Sequence, residues 1–215
     1  LILLEKENNL IGIYLTAHPL DDYRLEITNF CSRDVALKDL NNDISKYQGK
    51  DFTFGGMVTA AREGQSKNGN MYAVMTLTDY TDSKELFFFG NDYVNFSKFC
   101  KMGLFIMVKG SVKQRCNSDF YEYKVNSIEL IDDVREKYIK SLTINVPLKA
   151  LTEDFVKRVD QMAGEYKGKA LLKFNVFDTE NNMYIEMFSR TTRVNPLDSF
   201  LNFFDEQPEM SYRIN

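Results

Sequence analysis

A multidomain chain, mostly β with an α+β part at its end, is what the sequence predicts, and three observations predict it. Between Asp51 and Asp132, apolar segments rich in Phe, Val, Ile and Thr alternate with short Gly- and Asn-bearing turns, the pattern of strands joined by hairpins. One interval inside that stretch, Asn91 to Cys100, breaks the alternation and reads as a helix. Beyond Lys140 the period itself changes. Leu142, Ile144 and Val146 alternate, and then Leu151, Phe155, Val159, Met162, Ala163 and Tyr166 recur at three and four, so a strand is followed by an amphipathic helix.

Taken in order, Glu5 to Leu15 reads as a short helix that Pro19 stops, because the residue before a proline is pushed out of helical geometry. Pro19 to Tyr23 begins another turn of helix, its Asp21–Asp22 pair at the positive end. Ser32 to Asp43 leads to Lys46–Lys50, a natural boundary. Residues 1–48 are thus a helical connecting segment. The first strand, Phe54 to Arg62, turns back through Lys67-Asn68-Gly69-Asn70, residue types that tolerate positive φ. Met71 to Asp79 returns, Glu85 to Phe89 follows, and after the helix come Leu104–Arg115 and Phe120–Ile131. Three strands, a helix, then two strands is the order of an OB fold, a small five-stranded barrel, here given residues 49–135.

Residues 136–215 make the last domain. Asp132 to Lys140 is a charged connector, Ser141–Val146 a strand, and Thr152–Tyr166 a helix with Thr152 as its N-cap. Ala170–Val176 and Met183–Met187 are hairpin partners across the turn Asp178–Asn182. Asn195-Pro196 opens a second helix with Pro at its first position, and Met210–Ile214 closes the unit. The order β-α-β-β-α-β predicts a ferredoxin-like or related two-layer unit. Phe188, Phe203 and Phe204 are either core or a docking patch.

Composition narrows the function classes. Hydrophobic residues at 44% and charged residues at 27% describe ordinary globular material, and no apolar run reaches the roughly 20 residues of a membrane helix. Cys31, Cys100 and Cys116 are odd in number and scattered, which fits reduced thiols and a cytoplasmic setting. The chain has no initiator Met and reads as a piece of a longer polypeptide. Its net charge of −4 argues against a strongly basic nucleic-acid binder, so position matters more than sum. Arg62, Lys67 and Asn70 lie in or beside the first hairpin loop, and Lys113 and Arg115 flank the loop joining strands four and five. An OB fold grips oligonucleotides with those two loops. Tyr72, Tyr121 and Tyr123, with Phe87 and Phe89, are candidates for stacking on bases, although a small barrel also fills its interior with aromatics. Asp79 reads as the residue that holds the following turn, and His18, the sole histidine, as a turn residue bonded to backbone beside Pro19. No converging carboxylates, Gly-rich phosphate loop or metal-spaced His/Cys set appears, so the chain reads as non-catalytic, with no cofactor.

Leu10-Ile11-Gly12-Ile13-Tyr14-Leu15-Thr16-Ala17-His18-Pro19-Leu20-Asp21-Asp22-Tyr23, after Glu5-Lys6-Glu7, resembles a segment of the bacterial replicative DNA polymerase III alpha subunit that precedes its OB domain. Gly56-x-Val58-Thr59-x-x-Arg62, Lys67-x-Gly69 and Ala73-x-x-Thr76-Leu77-x-Asp79 resemble that family's OB signature. The resemblance implies a C-terminal fragment of a DNA-directed DNA polymerase, a nucleotidyltransferase whose Mg-dependent site lies upstream. It implies single-stranded template DNA as ligand, and the clamp-loader tau subunit or other replisome proteins as partners, without a membrane. Two alternatives stand beside it: a purely protein-docking module of the replisome, and a tRNA-binding OB module.

Overall fold

The computed structural model describes residues 18–115, 119–207 and 209–215. The helix expected over Glu5–Leu15, most of the resemblance-bearing segment before His18, and Cys116 therefore lie outside the described residues. The chain divides at Asp132/Asp133 into two compact units.

In the first unit, β1 (Asp51–Gln65), β2 (Met71–Thr78), β3 (Ser83–Phe89), β4 (Phe105–Gln114) and β5 (Tyr121–Leu130) form one antiparallel sheet in the order β3-β2-β1-β4-β5. The long β1 makes this possible. Its first half pairs with β4 and its second half with β2, and a register shift falls between Val58 and Ala60. Val58, Met75, Phe88, Val108 and Val125, one from each strand, meet in a single core. The sheet curls around that core without closing: β3 and β5 remain its edges, with no ladder between them among the described residues. The expected five-stranded OB fold is therefore present, as a partly open barrel.

Between β3 and β4 sits α3 (Asn91–Phe96), whose buried Phe96 meets Phe88 at 5.4 Å between ring centroids. Upstream, α1 (Arg24–Phe30) and α2 (Leu37–Asp43) are only seven residues each, too short to hold helical shape alone. Val35, Leu37 and Leu40 join the sheet's core. At about 1.5–3 kcal/mol per fully buried aliphatic side chain, the two leucines outweigh the poor intrinsic helicity of this segment.

The second unit carries β6 (Ser141–Pro147), α5 (Glu153–Glu165), β7 (Lys167–Asp178), β8 (Met183–Val194), α6 (Asp198–Asp205) and β9 (Ser211–Ile214). The Thr152 hydroxyl accepts from the Phe155 N–H at 3.2 Å, the N-cap expected from the sequence. The sheet order is β8-β7-β6-β9, with β6 and β7 parallel and directly paired. A ferredoxin-like sheet splits its two parallel strands around a third, so that variant is overturned and the related two-layer arrangement stands. Leu142, Ile144, Val146, Leu172 and Val176 are buried, as are Val159, Met162 and Ala163 of α5. Phe200 and Phe204 of α6 are buried too, Phe203 is half-buried, and Phe188 is exposed, so only the last remains available for docking.

Two local expectations change. The charged stretch after Asp132 belongs to a helix, α4 (Ile131–Tyr138), because Ile131 and Val134 fall one turn apart and are buried despite the charges around them. Pro196 does not occupy the first position of α6. The helix begins at Asp198 with Leu197 as its N-cap, so proline sits in the extended lead-in.

Candidate nucleic-acid interface

Directly opposed residues in an antiparallel pair project to the same face. The registers of β1–β2 and β2–β3 therefore define rows: Gly64–Tyr72–Phe89, then Arg62–Val74–Phe87. Their alternates on β2 and β3, Ala73, Met75, Leu86 and Phe88, are buried, so these rows lie on the other face of the sheet, where Arg62, Phe87 and Phe89 are exposed and Val74 between them is buried. Phe87 and Phe89 are 51% and 54% exposed, large values for phenylalanine. Their ring centroids lie 6.5 Å apart with planes within 2° of parallel, and Tyr72 stands 5.8 Å from Phe89 on the neighbouring strand. Gly64 makes room for that tyrosine. A Cβ on Gly64 would lie 2.7 Å from Tyr72 Oη and 2.8 Å from Cζ, so any side chain there displaces the ring.

Arg62 ends the middle row. It is exposed and is a strand residue, as expected, although β1 runs three residues further, to Gln65. Lys67 and Asn70 occupy the exposed tip of the same hairpin. The tip is closed by its own bonds: Ser66 N–H donates to Asn70 O at 2.8 Å, Gly69 N–H to Ser66 O at 2.9 Å, and Gln65 Nε2 to Gly69 O at 2.9 Å. Gly69 has φ +81°, the left-handed geometry this tip requires.

The β4–β5 hairpin is a separate matter. Lys113 is exposed opposite Glu122, and exposed Arg115 closes the hairpin through its N–H to Phe120 O at 2.8 Å. Tyr121 and Tyr123 pair with Gln114 and Val112 on the row that faces inward. Tyr123 is only 8% exposed, and its hydroxyl lies 2.9 Å from Phe52 O and 3.1 Å from Val108 O. Burial pushes its phenol well above the usual range. Tyr121 packs against the same core and donates to Gln48 Oε1 at 3.2 Å. Both are corrected from stacking candidates to barrel side chains: alternation told that they share a face, not which face. No strand pair links the two hairpins, since β4 and β5 never pair with β2. Arg62 and Tyr72 come together with Phe87 and Phe89; Lys113 and Arg115 do not join them through any strand pair.

The β2–β3 turn, at the end of the ladder away from Tyr72 and Phe89, is held from outside. Asp79 Oδ1 accepts from Thr81 N–H at 2.6 Å, Thr81 Oγ1 at 2.7 Å and Asp82 N–H at 2.9 Å, while Oδ2 accepts from Leu37 N–H at 2.9 Å, at the start of α2. Asn41 Nδ2 adds bonds to Asp82 Oδ2 at 2.8 Å and Ser83 O at 3.0 Å. The expected turn role of Asp79 is met, with a helix start added. His18 Nδ1 accepts from Leu20 N–H at 3.2 Å, the backbone bond anticipated, and its ring meets Tyr80, tilted by 38°, at 4.5 Å between centroids. Desolvation lowers its pKa, opposed by the charges of Asp21 and Asp79. Asp21 is engaged in holding this corner, accepting from His18 N–H at 2.8 Å and Tyr80 Oη at 3.0 Å. Burial pushes the Cys31 thiol up to about 12 and the Cys100 thiol up to about 11, so neither is a nucleophile near neutral pH. Among the described residues no group of three or more His, Cys, Asp or Glu side chains is disposed to hold a metal ion, and no helix is long and apolar enough to cross a membrane.

Comparison with known proteins gives this geometry a context. Residues 52–131 match the model of an OB-fold nucleic acid binding domain, and residues 142–215 that of the C-terminal domain of the DNA polymerase III alpha subunit. The DNA polymerase III subunit alpha of Escherichia coli K12 is 26% identical over 201 residues, covering 94% of this chain and 17% of that protein. The Haemophilus influenzae protein of the same name is 28% identical over 175 residues, 81% of this chain and 15% of the other. Two solved structures also align. The yeast mitochondrial single-stranded DNA binding protein Rim1 shows 16% identity over 38% of this chain and 92% of its own, with a TM-score of 0.29. The second OB-fold domain of replication protein A from Methanococcus maripaludis shows 23% identity over 40% and 87%, with a TM-score of 0.27. Scores that low carry no argument about this chain. With an OB-fold domain matched first and the polymerase domain matched after it, the chain is similar to the C-terminal region of the bacterial DNA polymerase III alpha subunit and spans about a sixth of the length of those relatives.

Proposed function

We propose that this chain is the non-catalytic C-terminal part of a replicative polymerase subunit and holds unpaired template DNA on the face of β1, β2 and β3 that exposes Arg62, Phe87 and Phe89. The observation that carries the reading is the cluster of Tyr72, Phe87 and Phe89 beside Arg62. Single strands are bound by cations that track phosphates and by aromatic faces that stack on bases at about 1–3 kcal/mol each. Three rings and two or three nearby cations support micromolar or weaker affinity, strongly dependent on salt. Lys113 and Arg115 serve as an outlying contact for a strand that continues beyond the platform. Anisotropy of a labelled oligo-dT tests this. Binding at about 20 mM salt that weakens steeply as salt rises is expected, with duplex of equal length bound less well. No binding even at low salt ends the reading, and equal or tighter binding of single-stranded RNA shifts it toward the tRNA module.

A second reading applies to the other unit, where protein docking is favoured by a specific observation. Edge strand β8 exposes Met183, Tyr184, Ile185, Met187 and Phe188, and an apolar groove of about 270 Å³ runs between Phe155, Val156 and Val159 of α5 and Phe174 and Met187 of the sheet. A replisome protein such as the clamp-loader tau subunit is the proposed partner. Capture of the tau protein by the chain, lost on Tyr184→Ser with Phe188→Ser, tests it.

A further inference from the structure

We propose that Phe87 and Phe89 form a slot that takes one unpaired nucleobase between their rings, a subsite that rests on the single-strand reading above. The strand itself sets the dimensions. Side chains two apart on a β-strand share a face and repeat every 6.6 Å or so. Stacked bases are spaced about 3.4 Å, so a base between two rings needs them about 6.8 Å apart. The Phe87 and Phe89 centroids are 6.5 Å apart and their planes 2° from parallel. The centroid distance is an upper limit on the gap between the planes, and two half-exposed side chains have the freedom to widen that gap for the base.

Core ring pairs of the same unit are more inclined, from 33° for Phe52–Phe54, at 6.0 Å, upward. Phe88–Phe96, Phe54–Tyr123 and Tyr47–Phe52 sit 5.4–5.5 Å apart and are inclined by 58°, 69° and 87°. Those are the close, edge-to-face contacts that rings adopt when they pack on each other. Phe87 and Phe89 are parallel and at the wide end of the range for ring pairs, an arrangement that two half-exposed side chains can open. Tyr72 stands beside Phe89 at 5.8 Å and limits its movement. Arg62 lies in the same row as Phe87, two strands away, about 10 Å between backbones, and meets the phosphate of the held or adjoining nucleotide. The slot uses both faces of its base. Duplex DNA offers such a base only by flipping it out of the stack, so the slot selects unpaired strands.

The test uses the whole chain with oligo-dT of about 12 nucleotides, inside the range of OB-fold site sizes, carrying 2-aminopurine at one position, and a matched abasic oligonucleotide. Quenching of the 2-aminopurine on binding is expected, with Phe87→Ala and Phe89→Ala each weakening oligo-dT at least about tenfold and leaving the abasic strand unaffected. Two walls around one base couple, whereas two rings holding separate bases act additively. The double variant should therefore lose clearly less than the product of the two single losses. Phe87→Leu, which keeps apolar bulk without a π-face, should behave as Phe87→Ala and retain the melting temperature. Oligo-dT binding by the parent chain with additive losses, or with none, overturns the slot and leaves the single-strand reading intact; absence of binding by the parent chain overturns both.

Discussion

Both units expose phenylalanine on an edge strand, and the two edges differ in what surrounds it. On β3 the exposed rings occupy one face only, while Leu86 and Phe88 turn inward, and the row ends in an arginine. On β8, Tyr184 and Phe188 project to one side and Met183, Ile185 and Met187 to the other, all at least 40% exposed. A flat aromatic face with a cation suits a base and its phosphate. A strand apolar on both sides, with a free backbone edge, suits burial against another protein. Residue type alone does not separate the two cases; the neighbours in register do.

The sharpest way to break that contrast is to strip each edge in turn. Phe87→Ala with Phe89→Ala removes a stack of about 2–4 kcal/mol, so single-strand affinity falls about 30- to 1000-fold by anisotropy. Tyr184→Ser with Phe188→Ser should leave it within about twofold, as expected for sites that share no partners; a comparable loss there would erase the distinction. Next in size is Asp79→Ala, which removes four hydrogen bonds, one to the start of α2, and should cost about 2–4 kcal/mol in urea unfolding. Tyr123→Phe leaves two buried carbonyl contacts without their donor, at about 1–2 kcal/mol, while the folded variant binds DNA unchanged, unlike any stacking residue. Arg62→Ala with Lys67→Ala should weaken binding about tenfold and flatten the logarithmic salt dependence by about 1.4, or 0.7 per phosphate contact on a single strand. The smallest effect concerns pH. The folded pKa of His18 lies below its ordinary 6.5, so the unfolded chain takes up a proton first as pH falls. Its contribution to stability is complete above pH 6.5 and declines below it, and His18→Gln should remove that part of the decline in thermal melts.

Much of this was legible beforehand, for reasons that can be named. All five strands of the first unit follow from alternation bounded by turn residues, and Thr152 and Gly69 occupy the positions their chemistry demands. Asp79 was readable as a turn holder because a carboxylate after a strand has few other uses. Its bond to Leu37 was not, since nothing in sequence marks a partner 42 residues away. Parity was equally hidden. Tyr121 and Tyr123 alternate as cleanly as Phe87 and Phe89, and only the pairing register turns the first pair inward and the second outward. The helix α4 was masked because five charged residues conceal an apolar stripe of two. In the second unit the element order was plain, yet the same order fits several sheets, and only the direct pairing of β6 with β7 selects one.

The way the two turns of β2 are tied has a consequence for how such a chain tolerates change. The Ser66–Asn70 tip bonds only to itself and to Gln65, so extra residues can be inserted there without disturbing anything beyond the hairpin. The Asp79–Asp82 turn is fastened to Leu37, Lys38 and Asn41, and one added residue would break that attachment. Length variation is therefore tolerated at the β1–β2 tip, next to Tyr72, and costly at the β2–β3 turn, at the far end of the ladder from Tyr72 and Phe89, where it would unseat α2.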